Sequence, residues 1–149
     1  MIAVFDAAAL IAWFNEEPAA AEVDELLAAH GGLASCVNLV EVVDNLGRIG
    51  RIAVGHVASV VDALIGDGMV AVPCDVAIGL RAGVIRATHY NRVTCAVSLA
   101  DCVATATAEA VDGTLITSDA QLVALAEALG VAVHPIPNSR GTRPPLVGG

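Results

Sequence analysis

Short runs of consecutive apolar residues alternate along this chain with longer stretches of helical character, and that alternation leaves few folds open. Ile2–Phe5, Leu33–Cys36, Met69–Pro73, Thr114–Thr117 and Val131–His134 each read as a strand. They are continuously apolar, as expected of strands buried on both faces. Helices are predicted between them, over Ala7–Asn15, from Glu16-Glu17-Pro18 to about His30, over Val37–Gly50 and over Val54–Gly66. Three more follow, from the Asp75 cap to about His89, from Ser98 through Val111, and over Asp119–Leu129. Proline and acids suit a helix's first turn, and Gly31-Gly32 and Gly130 suit helix ends. Strands joined by helices build a parallel sheet with helices on both faces. The expected fold is therefore a three-layer α/β/α domain over residues 1–134, with a central, mainly parallel sheet of about five strands. Residues 135–149 form a tail containing Pro, Gly and Arg, expected to be ordered only where it packs on something.

The 149 residues are enough for one domain with a real core. Although 56% of them are hydrophobic, no apolar run approaches the roughly 20 residues of a membrane span. No basic segment precedes the first apolar run, so it does not read as a secretory signal. A soluble cytoplasmic protein, with no membrane association, is the expectation. Cys36, Cys74, Cys95 and Cys102 are scattered, without zinc-ligand spacing, and read as core thiols in a reducing compartment. The formal net charge is −9, and all seven basic residues are arginines. The basic surface of a general nucleic-acid binder is absent. Net charge does not decide what a local site does, however, and acids gathered around metal ions attract phosphate through those ions.

Four carboxylates stand where such a fold concentrates function. Asp6 ends the first strand, Asp119 follows the fourth, Asp101 lies in a helix's first turn and Glu41 lies within another helix. Functional groups of open parallel sheets gather at the carboxyl ends of strands. Carboxylates converging there repel one another and resist ionisation unless a cation neutralises them. All-oxygen donors select hard cations such as Mg²⁺ or Mn²⁺. Each acid also has a plainer reading. Asp6 and Asp119 could be simple helix caps. Asp101 could return a capping box to Ser98. Glu41 shares a polar arc with Asn38, Asp44, Asn45 and Arg48, the pattern of a solvated face.

The motifs resemble those of PIN domains, and in particular the VapC ribonuclease toxins of type II toxin–antitoxin systems. Val4-Phe5-Asp6 leading into Ala7-Ala-Ala-Leu10 is similar to the family's opening strand and helix. Val37-Asn-Leu-Val-Glu41-Val resembles its second motif. Ser98-Leu-Ala-Asp101-Cys-Val-Ala-Thr-Ala closely resembles the third, and Leu115-Ile-Thr117-Ser118-Asp119 the fourth. They stand in family order from Asp6 to Asp119. The resemblance implies a metal-dependent endoribonuclease in which Asp6, Glu41, Asp101 and Asp119 hold Mg²⁺ or Mn²⁺ and Thr117 supports them by hydrogen bonding. It further implies a VapB-like cognate antitoxin, an RNA substrate and a homodimer. Arg48, Arg51, Arg81, Arg86 and Arg92 are available to position phosphates. An antitoxin helix is expected in a groove beside the helices carrying Trp13-Phe14 and Val37–Ile49. One departure is notable: Ala7-Ala8-Ala9 lacks the hydroxyl or amide that often follows the family's first Asp, a loss that would weaken metal binding.

Other readings fare worse. A haloacid-dehalogenase-like phosphatase needs an Asp where Ala8 stands, a response-regulator receiver needs a Lys, and a nucleotide-binding turn needs glycines that residues 7–14 lack. The serious alternative is a catalytically weak or inactive PIN-like interaction module with a structural cation site.

Overall fold

The computed structural model describes residues 1–148, so the last residue of the expected tail lies outside the described residues. Its centre is a five-stranded sheet in the order β3-β2-β1-β4-β5. These strands are Ala3–Phe5 (β1), Leu33–Ser35 (β2), Val70–Val72 (β3), Thr114–Thr117 (β4) and Val133–Pro135 (β5). Every pairing is parallel, with Val4 opposite Leu115 and Phe5 opposite Ile116 between β1 and β4.

Alternation along the strands divides the core. Ala3, Phe5 and Ile116 pack on one side with α1 (Ala7–Phe14), α2 (Ala20–His30), α3 (Cys36–Asp44) and α4 (Val54–Gly66). Val4 and Leu115 pack on the other with α5 (Val76–His89), α6 (Leu99–Ala110) and α7 (Ala120–Ala128). This gives the expected three layers. Among the described residues no helix is long and apolar enough to cross a membrane, and all four cysteines are free.

Local chemistry sets the element boundaries. Asp6, Ser35, Asp75, Ser98 and Asp119 cap the helices that follow them through side-chain oxygens. The connection from α2 to β2 passes through Gly32 at φ +83°, where a Cβ would lie 2.7 Å from the Phe5 ring. Three boundaries differ from expectation. The second helix begins at Ala20, after a turn in which Glu16 takes a positive φ of 53° and Pro18 precedes the helix. The helix from α3 widens at Asn45–Ile49 into a π-helical turn, with Gly50 N–H bonded to the Asn45 carbonyl. Val131 closes α7 by donating to the Ala126 carbonyl, so β5 starts only at Val133.

The tail lies across the domain. Arg143 forks onto Glu22 of α2 at 3.0 and 2.7 Å and also donates to the Pro135 carbonyl. His134 meets the same Glu22 carboxylate at 2.7 Å. Farther on, Val147 N–H donates to Glu127 at 2.7 Å.

Candidate metal centre

The carboxyl ends of β1 and β4 lie side by side, so the residues that follow them emerge together. Asp6, 1% exposed, follows β1, and its Oδ1 accepts the Ala9 N–H at 2.7 Å. Thr117 ends β4, wholly buried, and its hydroxyl accepts the Asp119 N–H at 3.1 Å. Asp119 in turn accepts the N–H groups of Gln121 and Leu122 at 2.7 and 3.2 Å. Asp101 accepts the Ser98 N–H at 2.6 Å while Ser98 Oγ accepts the Asp101 N–H at 3.0 Å, a complete capping box. All three aspartates thus perform the capping that their sequence positions suggested. They are also close enough to act on one another.

Burial pushes the Asp6 carboxyl up to about 7; the Thr117 hydroxyl and Ala9 N–H draw it down, and the charges of Asp101 and Asp119 raise it further. Burial likewise raises Asp101, with Asp119 adding to it. Glu41, half-buried on α3, is raised by burial and then by Asp101 and Asp44. Asp101 therefore links the group: it acts on Asp6 from one side and on Glu41 from the other. The Thr117 hydroxyl stands in hydrogen-bonding reach of Asp6, where Ala7-Ala8-Ala9 offers no hydroxyl or amide.

The polar arc of α3 does not behave as one solvated face. Asp44 and Arg48 form an exposed ion pair at 2.7 Å. Asn38, by contrast, is 0% exposed, and its Nδ2 donates to the Ala100 carbonyl at 3.3 Å. Asn38 Oδ1 and Glu41 Oε2 are buried acceptors without a donor among the described residues. Sequence reasoning missed Asn38; its place three residues before Glu41, on the same helical face, was the available signal.

These donors suit a hard cation. They are all oxygen, the charges of Asp101 and Asp119 raise the proton affinity of Asp6 and that of Asp101 raises Glu41's, and one carboxylate oxygen is buried without a partner. They do not form a closed cage: among the described residues no three acidic, imidazole or thiol side chains converge at ligand spacing. The physical reason is visible in the caps, since each aspartate is turned toward its own helix's N–H groups.

A family model described as the PIN domain matches residues 3–128. The chain belongs to the PIN-domain family. No curated protein matches the chain in sequence. Solved PIN-like structures resemble it in fold. VapBC2 from Rickettsia felis, bound to a DNA fragment from its promoter, superposes with a TM-score of 0.66 at 15% identity, covering 90% of this chain and 98% of that one. DNA-bound VapBC from Salmonella typhimurium gives 0.66 at 17% identity, covering 90% and 97%. A toxin–antitoxin complex from Klebsiella pneumoniae gives 0.57 at 21% identity, covering 78% and 86%. PIN domains are in general metal-dependent nucleases.

Proposed function

We propose that this PIN domain is a VapC-like toxin, a Mg²⁺- or Mn²⁺-dependent endoribonuclease that hydrolyses RNA phosphodiesters in the cytoplasm. One observation carries the reading: Asp6, wholly buried, is raised to about 7 with the carboxylates of Asp101 and Asp119 pressing on it. A buried carboxylate with the half-buried Asp101 and the exposed Asp119 close enough to repel it calls for a cation. Asp6, Asp101 and Asp119 would hold it, with Glu41 ligating directly or through water. The bound cation supplies an activated water for in-line attack and steadies charge on the leaving oxygen. Thr117 orients Asp119 through its main-chain N–H and rests against Asp6.

The test is cleavage of a mixed transfer- and ribosomal-RNA pool by antitoxin-free protein with Mg²⁺, Mn²⁺ or EDTA, beside Asp101→Asn. Discrete cleavage that requires metal and vanishes in the variant supports the nuclease. No cleavage from folded, metal-loaded protein favours the interaction module instead. The caps give that second reading its foothold, because they satisfy all three aspartates without a cation.

Toxin–antitoxin complexes among the solved structures motivate a VapB-like partner. A groove of about 420 Å³ between α2 and α4 suits an amphipathic helix: Trp13, Leu27, Val60 and Leu64 line it, with Asp24 and Asp67 at hand for basic residues. Trp13 of α1 also lines this groove, which α2 and α4 wall rather than α3. For the homodimer, α5 offers Val76, Leu80 and Val84, exposed and in line, on a face without charge. Two copies of charge −9 can meet on such a face without placing like charges in contact.

A further inference from the structure

An acidic chain that handles RNA needs a place where its field reverses, and its arginines show where. Arg48, Arg81 and Arg143 are each neutralised, by Asp44, Glu109 and Glu22. Among the described residues Arg51, Arg86, Arg92 and Arg140 meet no carboxylate within ion-pair distance. Two of those four, Arg86 and Arg92, belong to one neighbourhood, the end of α5 and its connection to α6.

That neighbourhood adjoins the carboxylates. Helix α5 runs antiparallel to α6: Arg81 meets Glu109 in the last turn of α6, and Arg86 meets Val97 just before its first. The connection is fastened on both sides of the site. Its Ala96 N–H donates at 2.6 Å to Oε1 of Gln121, whose own N–H is held by Asp119. Two residues later the Ser98 N–H is held by Asp101.

The connection is also preorganised. Asn91 and Cys95 exchange two main-chain hydrogen bonds of 2.9 Å, and Asn91 Oδ1 accepts the N–H groups of Val93 and Thr94. Arg86 is fixed by its Nε on the Val97 carbonyl at 3.2 Å and by stacking 4.3 Å from the Tyr90 ring centroid. Its Nη hydrogens have no acceptor among the described residues. A guanidinium held still with its fork free is arranged for a phosphate.

We infer that this connection is the surface on which the site grips single-stranded RNA, with Arg86 and Arg92 each seating a phosphate. The inference rests on the nuclease reading above and specifies where substrate meets the protein. One narrow turn tracks one strand, and the exposed Tyr90 and Val93 offer apolar surface to an unstacked base.

The test is anisotropy of a short fluorescein-labelled single-stranded RNA bound to the full chain with Ca²⁺, over a series of KCl concentrations. Each lost phosphate contact lowers the slope of log K against log salt by about 0.7 for a single strand. Arg92→Ala and Arg86→Gln each lose that amount and the double variant about twice it, while Arg86→Lys keeps the slope. Arg51→Ala and Arg140→Ala behave as the unsubstituted chain. Unchanged slopes for Arg92→Ala and Arg86→Gln, equal losses from Arg51→Ala or Arg140→Ala, or no binding at all would overturn the inference. Arg92 is exposed, so its variant decides the matter even if Arg86→Gln unfolds. Cleavage measured in parallel separates the two claims: cleavage with unmoved slopes removes only the docking surface, and binding with the expected slopes but no cleavage removes only the nuclease.

Discussion

Asn38 donates its side-chain amide to the carbonyl of Ala100, 3.3 Å away, and so ties the helix of Glu41 to the turn that carries Asp101. The two helices otherwise approach the site from different parts of the sequence. Replacing this wholly buried residue by Leu removes that tie while the Ala100 carbonyl keeps its bond within α6, at a cost of about 0.5–1.5 kcal/mol. Urea unfolding should show a lower midpoint with an unchanged slope; an unaltered midpoint would mean that the tie is idle.

Asp6 gives the metal-free protein an unusual pH dependence. Its carboxyl titrates near 7 when folded, against an ordinary value of 3.8. Between those values the folded state holds the extra proton, so stability falls as pH rises, by up to about 4 kcal/mol. Glu22 and Glu109, both lowered by arginines, act in the opposite sense but only at more acid pH. Thermal unfolding in EDTA should therefore show Tm decreasing from about pH 5 to about pH 8. Asp6→Asn, which keeps an oxygen for the Ala9 N–H, should make the profile shallower, Asp101 and Glu41 still acting in the same sense, and be the more stable protein at the alkaline end. A wild-type Tm that rises over this range would contradict the account.

Divalent cation should reverse that loss. Mn²⁺ offsets the repulsion only where the carboxylates are ionised, so its stabilisation is expected to be greater at alkaline than at acid pH. Asp101→Asn and Asp6→Asn should each lose most of it. A Tm shift in the variants as large as in the unsubstituted protein would place the cation elsewhere.

We propose that the tail belongs to the folded unit, because Arg143 binds Glu22 with both Nη groups. The pair is partly exposed, so Arg143→Ala should cost no more than about 1 kcal/mol. Its clearer sign would be limited proteolysis, with faster cleavage after residue 135 and an otherwise intact domain. Equal cleavage rates would show that Ile136 and the Glu127 contacts hold the tail alone.

The strands and capped helices were legible because their causes are local. Val4 and Phe5 need only be apolar, and Asp75 or Ser98 needs only to precede a helix. Less legible features depend on distant neighbours. The register of β5 turned on Val131 bonding back to Ala126. Asn38 looked solvated on a helical wheel because a wheel cannot show α6 arriving over it. Charge balance was similarly hidden: composition supplies seven arginines, but only folding reveals which are spent on Asp44, Glu109 and Glu22.

Asp6, Asp101 and Asp119 each hold the first turn of a helix as well as a place in the acidic group. Selection for a foldable chain would therefore preserve these three residues even in a descendant that had stopped cutting anything. Their persistence in a related protein is weak testimony to activity. Under the proposed nuclease reading, Glu41, which caps nothing, is the acid whose loss would mark retirement from catalysis.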